Sequence, residues 1–200
     1  MRSEKTEENK RFFNSCAERY DNTLFQFWMK RFHKVALQSI IGKESTILDI
    51  SCGSGELLAE LAKRGFRNLH GIDLAPSMLQ VAKRKLPPDV KLQQSDVHKL
   101  PFPAEMFDYV VSTEAFHHYD HQEKALQEMK RVTKKNGQVI IADINFFLRP
   151  IHWLFEKFEP GCVKINNKRK MRKLFKKVGL NVQLQQRTFL FAVTTIGVKS

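Results

Sequence analysis

From Thr46 onward the chain repeats one alternation: a short apolar run, a turn, then an amphipathic stretch. Residues 46–50, 68–72, 90–93, 107–112 and 138–144 read as strands, and stretches near 55–64, 76–85, 121–133 and 168–178 read as helices. Runs such as TILDI, FDYVV and QVIIA are apolar at almost every position, the pattern of strands buried on both faces. Strands alternating with helices imply an α/β domain with right-handed crossovers. After the fifth strand the order changes. A helix (KRKMRKLFKKVG) is followed by two strands, 181–187 and 189–198, with only Thr188 and its neighbours between them. So short a connection makes a hairpin, which places an antiparallel strand near one edge. The expectation is a doubly wound, mostly parallel, seven-stranded sheet.

Three stretches stand outside this alternation. Residues 1–10 are polar and read as frayed. Residues 11–42 have a helical pattern rich in apolar side chains, including Phe12, Phe13, Tyr20, Phe25, Trp28 and Phe32, which Asp21 and Asn22 divide into two helices. Residues 145–167 are aromatic-rich and carry Pro150 and Pro160. They have two readings: a lid or binding segment, or a core-packing helix at 150–158. A chain of 200 residues is one domain with a sizeable core. Its parts are an N-terminal helical cap (1–45), a ligand-binding core (46–145), and a lid segment, basic helix and terminal hairpin (146–200).

Charge changes the picture only at the C-terminal end. The net charge is +13, but residues 47–145 hold 13 basic and 13 acidic residues, whereas residues 146–200 hold 12 basic and 2 acidic. An anionic partner for the last quarter (acidic acceptor, RNA or lipid) stands beside the plain alternative of a solvated basic helix. In that helix Met171, Leu174, Phe175 and Val178 form the buried stripe. No apolar run is long enough to span a bilayer, and no signal peptide is visible at the N-terminus. The three scattered cysteines, Cys16, Cys52 and Cys162, read as free thiols in a reducing cytoplasm.

The chemistry concentrates in ILDISCGSGELLAEL (residues 47–61) and GIDLAPSML (residues 71–79). Gly53 and Gly55 allow a sharp turn and close approach of a ligand. The helix beginning near Gly55 aims unpaired N–H groups at that turn. Asp49, at the end of the first strand, can accept hydrogen bonds from a ligand ammonium. Asp73 ends the second strand, where a carboxylate accepts both ribose hydroxyls in adenosine-binding α/β folds. A dinucleotide fingerprint needs a third glycine, and Leu58 stands in its place.

Five ordered segments resemble class I S-adenosylmethionine-dependent methyltransferases, especially the small ones related to ubiquinone/menaquinone biosynthesis C-methyltransferases. They are ILDISCGSG, GIDLAPSML, QQSDVHKLPFP, FDYVVSTEAFHHY and ALQEMKRVTKKNGQVIIAD, and the resemblance covers roughly residues 13–179. It implies a Rossmann-like sheet and S-adenosylmethionine as cofactor, leaving S-adenosylhomocysteine as product. By that resemblance Asp49 and the Ser51–Gly55 loop, with Cys52 and Gly53, hold the methionine part. Asp73 holds the ribose, with Leu74 and Met78 against the adenine. Asp96 accepts from the adenine amino group, the backbone of Val97 meets a ring nitrogen, and Thr113 lies beside the methionine moiety. Ala17-x-x-Tyr20-Asp21 resembles an N-terminal AxxYD that folds Tyr20 over the cofactor. Ser51 stands where the family usually has glycine, and Asn136-Gly137 replaces its usual Pro-Gly.

His117 and His118 follow strand four, at the rim where a methyl acceptor belongs. Adjacent residues point different ways, so at most one faces the cleft. Either is a candidate catalytic base, since a neutral imidazole can take a proton from an acceptor hydroxyl or carbon acid; orienting the acceptor and capping a helix are the alternatives. Asp120 and His121 follow closely, but without a metal-ligand spacing, and no metal is expected. Three functions remain open: methyl transfer to a small acceptor (aromatic, lipophilic or anionic), methylation of RNA or protein guided by the basic helix, and cofactor binding without catalysis. Ser112–Ala115 (STEA) occupies the place of the NPPY-type tetrapeptide found in many amino-directed nucleic-acid methyltransferases. A cytoplasmic small-molecule methyltransferase is the leading expectation.

Overall fold

The computed structural model describes residues 4–20, 31–146, 149–159, 161–189 and 191–200. Its strands are β1 (Ile47–Ile50), β2 (Leu69–Asp73), β3 (Lys91–Gln94), β4 (Phe107–Thr113), β5 (Thr133–Ile144), β6 (Leu180–Phe189) and β7 (Ala192–Lys199). They form one seven-stranded sheet in the order β3-β2-β1-β4-β5-β7-β6. Strands β1 to β5 are parallel, and β7 runs antiparallel to both β5 and β6. The hairpin inverts the chain order because of composition. The apolar AVTTIGV is buried and takes the inner place, while the glutamine-bearing β6 takes the edge, where unpaired backbone groups meet water.

The helices are α1 (Glu4–Tyr20), α2 (His33–Ser39), α3 (Glu56–Lys63), α4 (Pro76–Lys85), α5 (Gln122–Val132), α6 (Arg149–Phe158) and α7 (Lys168–Lys177), of which α2 to α5 and α7 cover the two faces of the sheet. Side chains alternate across the strands and build two cores. Leu48, Ile50, Val110, Val139 and Ile141 pack on one face with Leu126 and Met129 of α5 and Met171 and Phe175 of α7. Ile47, Val111 and Ile140 pack on the other with Ala36 of α2, Leu57, Leu58 and Leu61 of α3, and Ala82 of α4.

The basic helix α7 folds as its stripe implies. Met171, Phe175 and Val178 are buried, Leu174 is partly buried, and the Asn167 side chain caps the helix by accepting from the Lys170 N–H at 2.9 Å. Gly197 of β7 makes room for this helix, since a Cβ there would stand 2.5 Å from Phe175 Cδ1.

The polar N-terminus departs from expectation. Instead of fraying, α1 is helical from Glu4, and its polar residues anchor it. Thr6 Oγ1 donates to Asp120 Oδ2 at 3.0 Å, and Asn9 Nδ2 donates to the Gly161 carbonyl at 3.0 Å. The expected helix break at Asp21 and Asn22 lies outside the described residues. The aromatic segment does contain a helix, α6, but only part of it serves the core. Phe155 packs against the cluster of Phe32, Ile144, Cys162 and Ile165, whereas Ile151, Trp153, Leu154 and Phe158 are exposed.

Truncating Phe175, which is fully buried between α7 and the sheet, removes the keystone of the basic helix. Phe175→Ala should destabilise the domain by about 3–5 kcal/mol in urea unfolding. A loss below about 1 kcal/mol would mean that α7 is not docked as described.

Candidate active site

Connections from β1 and β4 leave toward opposite sides of the sheet, which opens a crevice at the C-terminal ends of these two neighbours. The turn after β1 lies on it. Ser51, Gly53 and Gly55 all have positive φ (57°, 52° and 82°). A Cβ on Gly53 would meet nothing within 4 Å, so that backbone faces open space. A Cβ on Gly55 would stand 2.7 Å from Leu86 Cδ1, so Gly55 shapes the turn against α4 and does not line the crevice.

Ser51 adopts the left-handed conformation that favours glycine. Its hydroxyl shares a hydrogen bond of 2.9 Å with the Tyr119 hydroxyl, which lies 3.0 Å from Ser112 Oγ. The chain Ser51–Tyr119–Ser112 thus ties the first turn to β4 and offsets the backbone strain of a non-glycine residue.

Asp73 is the hub of the crevice. Its Oδ2 accepts from the Gly53 N–H at 2.9 Å and its Oδ1 from the Ala75 N–H at 2.8 Å. One carboxylate therefore holds the glycine turn and the entry to α4 together. Burial raises its pKa above the usual carboxylate range, against the lowering effect of those N–H donors. Asp49 is pushed well above that range, by burial first and by the negative charge of Asp73 second. Asp49 Oδ1 is buried without a hydrogen-bond partner. A buried acceptor left unpaired is costly, so this atom is suited to a ligand donor.

The remaining sequence-selected residues converge on the same cavity. Cys52, Leu74, Met78, Asp96, Val97, Thr113 and His118 line it together with Tyr20, Asp49, Ser51, Gly53 and Asp73. The Cys52 thiol is pushed well above its ordinary pKa, by burial and then by Asp49 and Asp73, so it is no nucleophile. Asp96 Oδ1 already accepts from the backbone N–H of His98 at 2.9 Å and contacts the His98 ring at 2.7 Å. Ala17, Phe13 and Tyr20 of α1 pack on Ala75 and Met78, which roofs this end of the cavity.

A second cavity of about 750 Å³ adjoins the first, and its lining is largely apolar: Phe12, Phe13, Ile144, Ile151, Leu154, Phe155 and Phe158 among others. Phe13, Tyr20, Glu114 and His118 line both cavities and form the wall between them. Glu114 is a non-glycine residue at φ 59°, a strained conformation of the kind that gathers at functional sites.

The expectation that at most one histidine faces the cleft does not describe the structure, because both line the second cavity and their ring centroids lie 4.1 Å apart. His117 is fully buried and lines only the second cavity, whereas His118 reaches both. His117 Nδ1 lies 2.6 Å from Asp143 Oδ1, and its Nε2 lies 3.4 Å from Glu159 Oε1. Burial disfavours the charge of His117, but the two carboxylates override it and raise the pKa to about 10. Burial and the neighbouring His117 hold His118 well below its ordinary value. His118 Nδ1 lies 3.1 Å from the Gly161 carbonyl, which can only accept, so Nδ1 carries the proton there. Among the described residues, His117, His118 and Glu159 each offer a donor atom within 4.8 Å of the others. Asp120 and His121 do not join them: Asp120 lies 3.1 Å from His98 Nε2 and accepts from Thr6.

Glu114, Tyr119, Asp143 and Glu159 were not selected from the sequence. Asp143 had a usable signal, an acid late in a buried strand run (QVIIADI), as Asp49 is in TILDI. Glu159 had none, because it follows a helix whose relation to β4 only the fold reveals.

The turn makes a testable statement. Ser51→Ala keeps the positive φ but loses the Tyr119 hydrogen bond, and should cost about 1 kcal/mol of stability. Ser51→Gly loses the bond but relieves the strain and should be near neutral. Equal losses in the two variants would show that Ser51 bears no strain.

A methyltransferase-domain profile matches residues 48–141. The demethylmenaquinone methyltransferase of Desulfitobacterium hafniense is 35% identical over 171 residues, 76% of this chain and 67% of the relative. The ubiquinone/menaquinone biosynthesis C-methyltransferase UbiE of Bordetella avium is 30% identical over 149 residues, 70% of this chain and 58% of that one. The chain thus spans about two thirds or less of the length of these relatives. Among solved structures, an S-adenosylmethionine-dependent methyltransferase from Aquifex aeolicus superposes with a TM-score of 0.77 at 20% identity, over 94% of this chain and 98% of that one. The switch-point crevice, the glycine turn and the acid-ended strands are this family's framework, and the chain belongs to the class I S-adenosylmethionine-dependent methyltransferases.

Proposed function

We propose that this protein transfers a methyl group from S-adenosylmethionine to a planar, lipophilic small molecule of the quinone type, held in the second cavity. The observation that carries the reading is the pair of adjoining cavities, one of mixed lining that includes buried carboxylates, the other almost wholly apolar, with His118 and Glu114 in their shared wall. The names of the relatives, a demethylmenaquinone methyltransferase and a ubiquinone/menaquinone C-methyltransferase, agree with such an acceptor. The RNA or protein alternative draws no support from the cavities, because α7 contributes no lining residue to either among the described residues. Nor is any helix of the described residues long and apolar enough to cross a membrane.

The residues present fit the cofactor. Asp49 offers a buried, unpartnered carboxylate oxygen to the ammonium group. Asp73, fixed by two backbone N–H donors, presents its remaining lone pairs to the ribose hydroxyls. Met78 and Leu74 supply apolar surface for the adenine beside Asp96 and Val97, and Thr113 stands at the end of β4 by the methionine part. Tyr20 and Phe13 close over it and exclude water. When bound, the sulfonium supplies an already activated methyl group, so the protein's task is alignment and desolvation. His118 stands where it can orient the acceptor, with its protonated Nδ1 on Gly161 and its other ring nitrogen left for a partner.

Calorimetry tests the cofactor site. Asp73→Ala should weaken S-adenosylhomocysteine by about a hundredfold, from two lost hydrogen bonds to a charged group. Affinity should also depend on pH. The ammonium binds the ionised Asp49, whose pKa burial raises well above the ordinary carboxylate range, so affinity falls as pH drops through that raised value. Asp49→Asn should bind weakly and flatten this dependence, with Asp73 and Glu114 supplying what remains. An unchanged pH profile would remove Asp49 from the cofactor site.

The acceptor is tested separately, by mass spectrometry of a reduced prenylated naphthoquinone incubated with enzyme and cofactor. A methylated product is expected. Tight cofactor binding with no turnover on quinols of varied head group would overturn the acceptor reading and leave the family assignment intact.

A further inference from the structure

We propose that His117, His118 and Glu159 form a binding site for a divalent first-row metal ion of the zinc or ferrous type, at the inner end of the apolar cavity. The donor atoms meet within 4.8 Å, and their surroundings are those of a built site. His117 Nδ1 is committed to Asp143 Oδ1 at 2.6 Å and His118 Nδ1 to the Gly161 carbonyl at 3.1 Å. With both Nδ1 protons held by oxygen acceptors, a metal ion would take the two Nε2 positions, displacing the proton that His117 Nε2 otherwise shares with Glu159. An outer carboxylate or carbonyl that fixes the tautomer of a ligating imidazole is the recurrent second layer of metal sites.

Distance favours the same reading. His117 Nε2 and Glu159 Oε1 stand 3.4 Å apart, too long for the charge-assisted hydrogen bond of about 2.7–2.9 Å that so buried a pair should make. Two ligands on a tetrahedral ion with bonds of about 2.0–2.2 Å lie about 3.4 Å from each other. Charge agrees as well. Asp143 Oδ2 and Glu159 Oε2 are buried without hydrogen-bond partners, and a dication that displaces the His117 Nε2 proton would balance these two carboxylates.

Placement is rigid, although the ligands lie far apart in the chain. The Val163 and Lys164 N–H groups donate to the His117 carbonyl at 2.9 and 3.1 Å. This pins the segment carrying Glu159 and Gly161 to the turn carrying the histidines. Two imidazoles and one carboxylate are the donor set of catalytic zinc and non-haem ferrous centres, which keep a position open. All three residues line the apolar cavity, so the open position faces it. There an acceptor oxygen would bind as its anion, a use that rests on the acceptor reading above; the metal site itself does not.

Titration of the chelator-stripped, intact protein with Co2+ and Zn2+ tests the site without acceptor or cofactor. One ion per chain is expected, with the intense visible bands of tetrahedral Co2+, bleached by Zn2+. Glu159→Gln and His118→Ala should abolish these bands while still melting cooperatively. Asp143→Asn should weaken Zn2+ by roughly 10- to 100-fold. Absence of stoichiometric uptake would overturn the proposal and leave the cluster as a proton-sharing ion pair. Uptake undiminished in both ligand variants would overturn it equally, by placing the ion elsewhere.

Discussion

The Asp73 carboxylate is the joint on which the rest of this site depends. It accepts from the turn after β1 through Gly53 and from the entry to α4 through Ala75, and so joins the ends of two parallel strands. Removing a charge from water is expensive, and two backbone N–H donors recover much of that cost. The position of Asp49 follows from it. Asp49 shares the same buried pocket, and the nearness of Asp73 makes its ionisation costlier still. Two carboxylates at adjacent strand ends, one satisfied by the backbone and one not, leave a cavity with a standing demand for a hydrogen-bonding, positively charged ligand.

A second level of organisation comes from segments outside the α/β alternation. The polar face of α1 bonds to Asp120 and Gly161, and its aromatic face lies on Ala75 and Met78. The segment after α6 bonds to His117 and His118. The sheet therefore supplies the floor of both cavities, and the two irregular segments supply their roof and far wall.

Legibility in the sequence followed this division. The core elements were readable because burial on both sheet faces enforces apolar runs, and the hairpin because its connection is too short for anything else. The placement of Asp49, Asp73 and the glycine turn at the crevice was readable because the apolar runs before them fix where the strands end, and their spacing matches the other motifs in order. The anchoring of residues 4–10 was not, since Thr6 and Asn9 look like surface residues until Asp120 and Gly161, more than a hundred positions away, are brought beside them. Glu159 was hidden for the same reason: its meaning is its distance from His117, which no local pattern encodes. Ser51 shows a subtler limit. A serine in a glycine position reads as a departure, and only the Tyr119 hydroxyl explains how it is tolerated.

Phe13 and Tyr20 belong to the walls of both cavities, and the helix that carries them is latched by Thr6 on Asp120 and Asn9 on Gly161. Any displacement of α1 would break those latches and open both chambers to water together. The roof of one chamber is part of the roof of the other, so a loss of either latch would be felt on both sides of the shared wall.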